Sequence, residues 1–71
     1  MAGETVLVTL NGEPREFRAG LNIKEMLHEL GLRPGTVVVE HNRRILERTH
    51  LDSTEVRTGD ILELVHFVGG G

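Results

Sequence analysis

Ile61-Leu62-Glu63-Leu64-Val65-His66-Phe67-Val68-Gly69-Gly70-Gly71 closes the chain, and the reading of every other segment turns on it. An apolar run of alternating parity enters three glycines, and the sequence stops at Gly71. Glycine after a strand ordinarily marks a turn into a next element. With none following, the glycines are expected to carry a free α-carboxylate away from a folded body. Within the strand, Leu62, Leu64, His66 and Val68 share one face, and Ile61, Glu63, Val65 and Phe67 share the other. If Leu62 and Leu64 point inward, then Glu63, Val65 and Phe67 stand outward beside the tail. An exposed aromatic in that position is a candidate anchor for a partner.

A last strand needs others to pair with, and the start of the chain supplies them. Thr5 to Leu10 is rich in β-branched residues, with Val6, Val8 and Leu10 on one face. Asn11-Gly12 favours a tight hairpin turn. Glu13 to Arg18 is then the return strand. Pro14 places it at an edge or frays it, because proline donates no ladder hydrogen bond. Phe17 is its one large apolar residue and is expected in the core.

A helix is predicted over about residues 23–30. Asn22 and Glu25 have capping-box spacing, and Leu21 and Met26 have the spacing of a hydrophobic staple. Ile23, Met26, Leu27 and Leu30 form one apolar stripe. Gly31 ends the helix, Leu32 packs back on Leu27, and Pro34 forbids continuation. After a Pro34-Gly35 turn, Thr36 to His41 reads as a third strand, with His41 at the end of its inward row. Asn42-Arg43 is a second tight turn, leading to a short strand around Arg44 to Glu47. Residues 48–58 are polar, with Leu51 and Val56 expected to pin them to the core. Thr58-Gly59-Asp60 is a turn into the last strand. The order points to an α+β domain in which a mixed sheet packs on one helix. The first and last strands, the most apolar, fit adjacent central positions. The helix crossover is long enough to permit a parallel pairing.

Composition narrows the function. Seventy-one residues make one small domain, and a chain of this size buries only about 60% of its unfolded surface. The formal net charge of −3 argues against nucleic acid as a partner. No apolar run reaches the roughly 20 residues needed to span a bilayer, so no membrane association is expected. The first residues lack the basic region of a signal peptide, which makes the cytoplasm the expected location. There is no cysteine, so neither a disulfide nor a thiolate metal site is available, and any sulfur chemistry must use another group.

Hairpin, helix, then strands ending in a glycine tail resembles the ubiquitin-like β-grasp pattern. Asn11-Gly12, the stretch from Val37 to Asn42, and the closing block from Gly59 to Gly71 resemble the sulfur carrier family of thiamine biosynthesis, the ThiS family. The resemblance covers nearly the whole chain. It implies a β-grasp domain over 1–68, with four to five strands on one main helix, and a flexible tail over Gly69, Gly70 and Gly71. It also implies a cycle. A ubiquitin-activating-like adenylyltransferase uses ATP to activate the carboxylate of Gly71. A sulfur donor, such as a cysteine desulfurase, converts the acyl-adenylate into a thiocarboxylate. The thiocarboxylate then delivers sulfur to thiazole synthase. The carrier is a co-substrate of these enzymes, not itself an enzyme, and binds no cofactor of its own. Glu63, Val65 and Phe67 are the expected docking residues.

Other readings share the tail. The small subunit of molybdopterin synthase is similar in fold and ending, a ubiquitin-like modifier would join its tail to lysines, and a plain interaction module would not need the glycines. His28, His41, His50 and His66 are too widely separated to form a metal motif, so no metal is expected. Arg15, Arg18, Arg33, Arg48 and Arg57 are scattered and read as solvated. No nucleophile–base constellation and no phosphate-binding glycine loop is present, which leaves ATP to a partner.

Overall fold

Two tight turns, at Asn11-Gly12 and Asn42-Arg43, fold the chain into two hairpins around one helix. The computed structural model describes residues 3–67. Strand β1 (Thr5–Leu10) pairs antiparallel with β2 (Glu13–Arg18) through a turn in which Asn11 and Gly12 both have positive φ, 51° and 85°. That is the backbone a two-residue hairpin with the sheet's natural twist requires. Helix α1 (Ile23–Glu29) follows, then a 3₁₀ turn (Pro34–Thr36), β3 (Val37–His41), β4 (Arg44–Leu46), a second 3₁₀ turn (Arg48–His50) and β5 (Ile61–His66).

The sheet order is β2-β1-β5-β3-β4. Strands β1 and β5 lie side by side and parallel, and every other pairing is antiparallel. Strand β2 is an edge, where Pro14 costs no ladder bond. A mixed sheet of five strands wrapped on one helix is the ubiquitin-like β-grasp arrangement.

Each helix terminus is satisfied by a different device. At the start, the Asn22 side chain accepts from the Glu25 N–H at 2.7 Å, and the Glu25 carboxylate accepts from the Asn22 N–H at 2.9 Å. The next two amides donate outward, Ile23 to the Thr54 carbonyl and Lys24 to the Leu51 carbonyl. The segment before β5, predicted to be held only by Leu51 and Val56, thus also closes the helix N-terminus. Both residues are buried as expected. At the other end Gly31 has φ of 77°, which lets the Leu32 N–H reach the Leu27 carbonyl at 2.9 Å. A residue with a Cβ adopts that φ only under strain.

The core gathers one face of the sheet onto the helix stripe: Val8, Leu10, Phe17, Val37, Val39, Leu62 and Leu64 against Leu21, Ile23, Met26 and Leu27, closed by Leu51 and Val56. Four boundaries differ slightly from the predicted ones. The last strand, read as running from Ile61 to Val68, ends at His66, and Phe67 lies beyond it. The helix ends at Glu29, with Leu30 as its cap. Thr36 belongs to the 3₁₀ turn and not to β3, because its N–H and hydroxyl both donate to the Arg33 carbonyl. The short strand stops at Leu46, one residue early. The predicted junction between domain and tail, at 68/69, lies outside the described residues.

Candidate functional site

Strand β5 sits at the centre of the sheet, flanked by β1 and β3, and runs toward the tail. Its alternation resolves as predicted: Leu62 and Leu64 are buried, while Glu63, Val65 and Phe67 are exposed, Val65 at 59% and Phe67 at 64%. The Phe67 N–H donates to the Thr36 carbonyl at 3.1 Å, so the strand leaves the sheet beside the Pro34–Thr36 turn. Gly69, Gly70 and Gly71 lie outside the described residues. What the structure positions is the root from which they extend.

Neighbouring strands enlarge the outer surface around that root. Val38 is directly opposite Val65 and Glu40 directly opposite Glu63 across β3 and β5. Ile45, 70% exposed, pairs with Glu40 from the other side. Ile61 and Leu7 are exposed apolar residues at the other end of β5, away from the root. Phe67 also borders a shallow cavity of about 350 Å³ that includes Pro34, Val38, Ile45 and Leu46. The face is therefore apolar at its centre, with two carboxylates set into it, the composition expected of a docking surface. Sequence reading placed Glu63, Val65 and Phe67 outward, as the structure has them, and did not single out Leu7, Val38 and Ile45. The parity of β1 and β3 already carried the signal for Leu7 and Val38. Ile45 is flanked by arginine and lies in a three-residue strand, so only its pairing with β3 places it here.

Strand β5 begins in a different environment. Asp60, 7% exposed, accepts from the Arg57 N–H at 2.9 Å, the Asn42 amide at 3.1 Å and the His41 ring at 3.2 Å. Burial pushes the Asp60 carboxyl up, but these donors outweigh it and hold the carboxyl below its usual 3.8. Asn42 also accepts from the Ile61 N–H at 2.8 Å. Further along, Asn11 uses its side-chain oxygen to accept from the Leu64 N–H at 2.8 Å. The asparagines of both tight turns thus hold the backbone of β5, a second use beyond turn formation. This cluster fixes the strand and contains no nucleophile. Among the described residues no group of three His, Cys, Asp or Glu side chains has metal-binding geometry, and no helix is long and apolar enough to cross a membrane.

Known proteins resemble this chain along nearly its whole length. The model of the ThiS family matches residues 8–71. The sulfur carrier protein ThiS of Bacillus subtilis (strain 168) is 32% identical over 66 residues, covering 92% of this chain and all of that protein. A thiazole synthase of Magnetococcus marinus is 38% identical over 64 residues, which cover 90% of this chain and 20% of the relative. The chain therefore spans about a fifth of the length of such relatives. The crystal structure of the thiamine biosynthesis protein ThiS of Geobacter metallireducens superposes with a TM-score of 0.77 at 38% identity, covering 93% of this chain and all of that one. A β-grasp fold and a family match over residues 8–71 lead to one conclusion: this chain belongs to the ThiS family.

Proposed function

We propose that this ThiS-family chain is a sulfur carrier of thiamine biosynthesis whose working group is the carboxylate of Gly71. The observation that carries the reading is the family match over residues 8–71 on a domain whose central strand delivers the chain to one end of the sheet. A carboxylate is a poor electrophile. Attack of its oxygen on the α-phosphorus of ATP, catalysed by an adenylyltransferase partner, releases pyrophosphate and leaves an acyl-adenylate. The terminal sulfur of a persulfide, supplied by a cysteine desulfurase, then displaces AMP to give an acyl disulfide. A thiol attacks the sulfur farther from the carrier, releasing the thiocarboxylate and leaving a disulfide on the donor side. Transfer of the sulfur to thiazole synthase returns the carboxylate. In this cycle the chain is a co-substrate. The relatives called thiazole synthase, which contain a segment like this chain, support that enzyme as the recipient over a pterin-forming one.

The tail residues suit the task. Gly69, Gly70 and Gly71 have no Cβ, so the terminal segment fits a narrow channel in each partner. Ordering them costs about 1–2 kcal/mol per residue. Contacts from the folded body must offset this cost, and the outer face around Val65 and Phe67 adjoins the tail root. A standard interface takes about 800 Å² from each partner, a large share of so small a surface.

Incubation with ATP, the adenylyltransferase of the same organism and a sulfur source, followed by intact mass measurement, tests the reading. Replacement of one oxygen by sulfur at the C-terminus is expected. A variant with one alanine added after Gly71 is expected to remain unmodified, and turnover of that variant would overturn the terminal-carboxylate mechanism. Lysine-linked conjugates in place of a thiocarboxylate would identify a modifier.

A further inference from the structure

On the helix side of the tail root, across the Pro34–Thr36 turn from the apolar face, lies an open cleft of about 630 Å³. Its rim carries Lys24 from the first turn of the helix, Arg33 from the connection to the sheet, and Arg48 from the second 3₁₀ turn. These are three of the eight basic residues of a chain whose formal net charge is −3. All three are exposed, and none joins an ion pair among the described residues, where Arg18 and Arg57 pair with Glu29 and Glu55. Backbone hydrogen bonds hold the rim together: the Lys24 N–H donates to the Leu51 carbonyl, and the Leu51 N–H to the Arg48 carbonyl. Gly35 forms part of the lining, and a Cβ there would lie 3.0 Å from the Arg48 guanidinium. The bare backbone at Gly35 therefore lets Arg48 lie across the cleft.

We propose that this cleft docks an acidic segment of a protein that takes the tail. Charge complementarity is the argument. Three cations, from separate elements and without an ion pair among the described residues, stand around a space the size of a short peptide, next to Thr36, where β5 leaves the sheet. A compact anion needs donors aimed at one point. Here the cations come from three separate elements and the lining also includes the carboxylate of Asp52, a mixture suited to a peptide with several carboxylates. The cleft and the cavity beside Phe67 share Pro34, Gly35, Arg48 and Leu51, so one partner can contact both. The proposal rests on the carrier reading for the identity of its occupant only.

Two measurements separate the proposal from that reading. In the first, the full chain is titrated with hexaglutamate and followed by NMR of its amide and arginine side-chain signals. Shifts concentrated at Lys24, Arg33, Gly35, Thr36 and Arg48 are expected. In an R33E/R48E variant with an intact spectrum, apparent affinity is expected to fall about tenfold or more. Shifts spread equally over Arg15 and Arg57 would overturn the proposal, as would the same pattern from inorganic phosphate at equal concentration. In the second, the R33E/R48E variant is assayed as the substrate in tail thiolation and in sulfur transfer to thiazole synthase. A KM raised about tenfold with kcat retained is expected for at least one step, with the effect shrinking at high salt. An unchanged KM in both steps would overturn the proposal. Absence of thiolation in the unaltered chain would instead refute the carrier reading, while the peptide titration would still decide whether the cleft binds an acidic segment.

Discussion

The two ends of β5 are built on opposite principles. At its start, polar groups are engaged within the fold: the buried Asp60 carboxylate accepts three hydrogen bonds, and Asn42 clasps Ile61 through both its backbone and its side chain. At its finish, large apolar groups are exposed: Val65 and Phe67 stand out from the sheet, near cations at the Pro34–Thr36 turn that form no ion pair among the described residues. A monomer gains stability by burying Phe67 and by pairing Arg33, yet among the described residues neither is done. The closed end fixes where the strand starts, and Leu62 and Leu64 fix its register. That leaves the open end free to present contacts that only a partner completes. Stability and recognition are thus divided along one strand, and substitutions at successive points along it separate them.

The largest effect is expected where the strand meets the core. Leu62 is fully buried between β1 and β3. Leu62→Ala removes its packing and leaves a cavity, a loss of about 2–5 kcal/mol. Domains of this size have little stability to spare, so the variant is expected to be largely unfolded at 37 °C, as read by urea denaturation and circular dichroism. A loss under about 1 kcal/mol would show that β5 is not the central strand of the core.

At the closed end, Asp60→Ala strands the Arg57 N–H and the Asn42 amide. The expected loss is about 1.5–3 kcal/mol, the net worth of hydrogen bonds to a charged carboxylate. This change also has a pH signature. The Asp60 carboxyl is held below its usual 3.8 in the folded chain. Its stabilisation is therefore fully present above that value and is lost as pH falls through the depressed folded value. Acid titration of stability is expected to show this loss in the native chain and not in Asp60→Ala. Identical acid limbs in the two proteins would remove the ionised carboxylate from the account.

The turn beside this cluster holds a smaller reserve. Arg43 has φ of 74° after Asn42 at 53°, a pair of left-handed residues in which glycine is the favoured second member. Arg43→Gly relieves that strain and is expected to raise stability by about 0.5–1 kcal/mol, or roughly 4–8 °C in Tm at the upper figure. A lowered Tm would mean that the arginine side chain contributes more than its backbone costs.

Those devices differ in how far the sequence alone reveals them. Helix α1 was legible in full because its cap, staple, stripe and glycine stop lie within a dozen residues and act locally. The parity of β5 was equally plain, and with it the exposure of Glu63, Val65 and Phe67. What escaped depends on strand order. Asn11 reaches Leu64 and Asn42 reaches Asp60 only because β5 lies between the two hairpins. Arg33 and Arg48 read as scattered charges until the Lys24–Leu51 hydrogen bond draws the second 3₁₀ turn against the helix start. Such contacts follow from the closed sheet, and no local pattern encodes them.

The smallest effect on stability, and the most telling one, is expected at the open end. Phe67 is 64% exposed, and its tie to the sheet is its backbone N–H, bonded to the Thr36 carbonyl. Truncating the ring leaves that bond in place and opens no enclosed cavity, so Phe67→Ala is expected to change stability by no more than about 0.5 kcal/mol. Binding is expected to respond differently. An exposed aromatic that becomes buried on docking typically loses about 2 kcal/mol or more when cut to alanine, over tenfold in Kd. Calorimetric titration of the variant against the adenylyltransferase, beside its urea midpoint, reads both quantities on one sample. Weakened binding at an unchanged midpoint places Phe67 on the recognition side of the division. A midpoint that falls as far as that of Leu62→Ala would move the ring into the core and erase the contrast between the two ends of the strand.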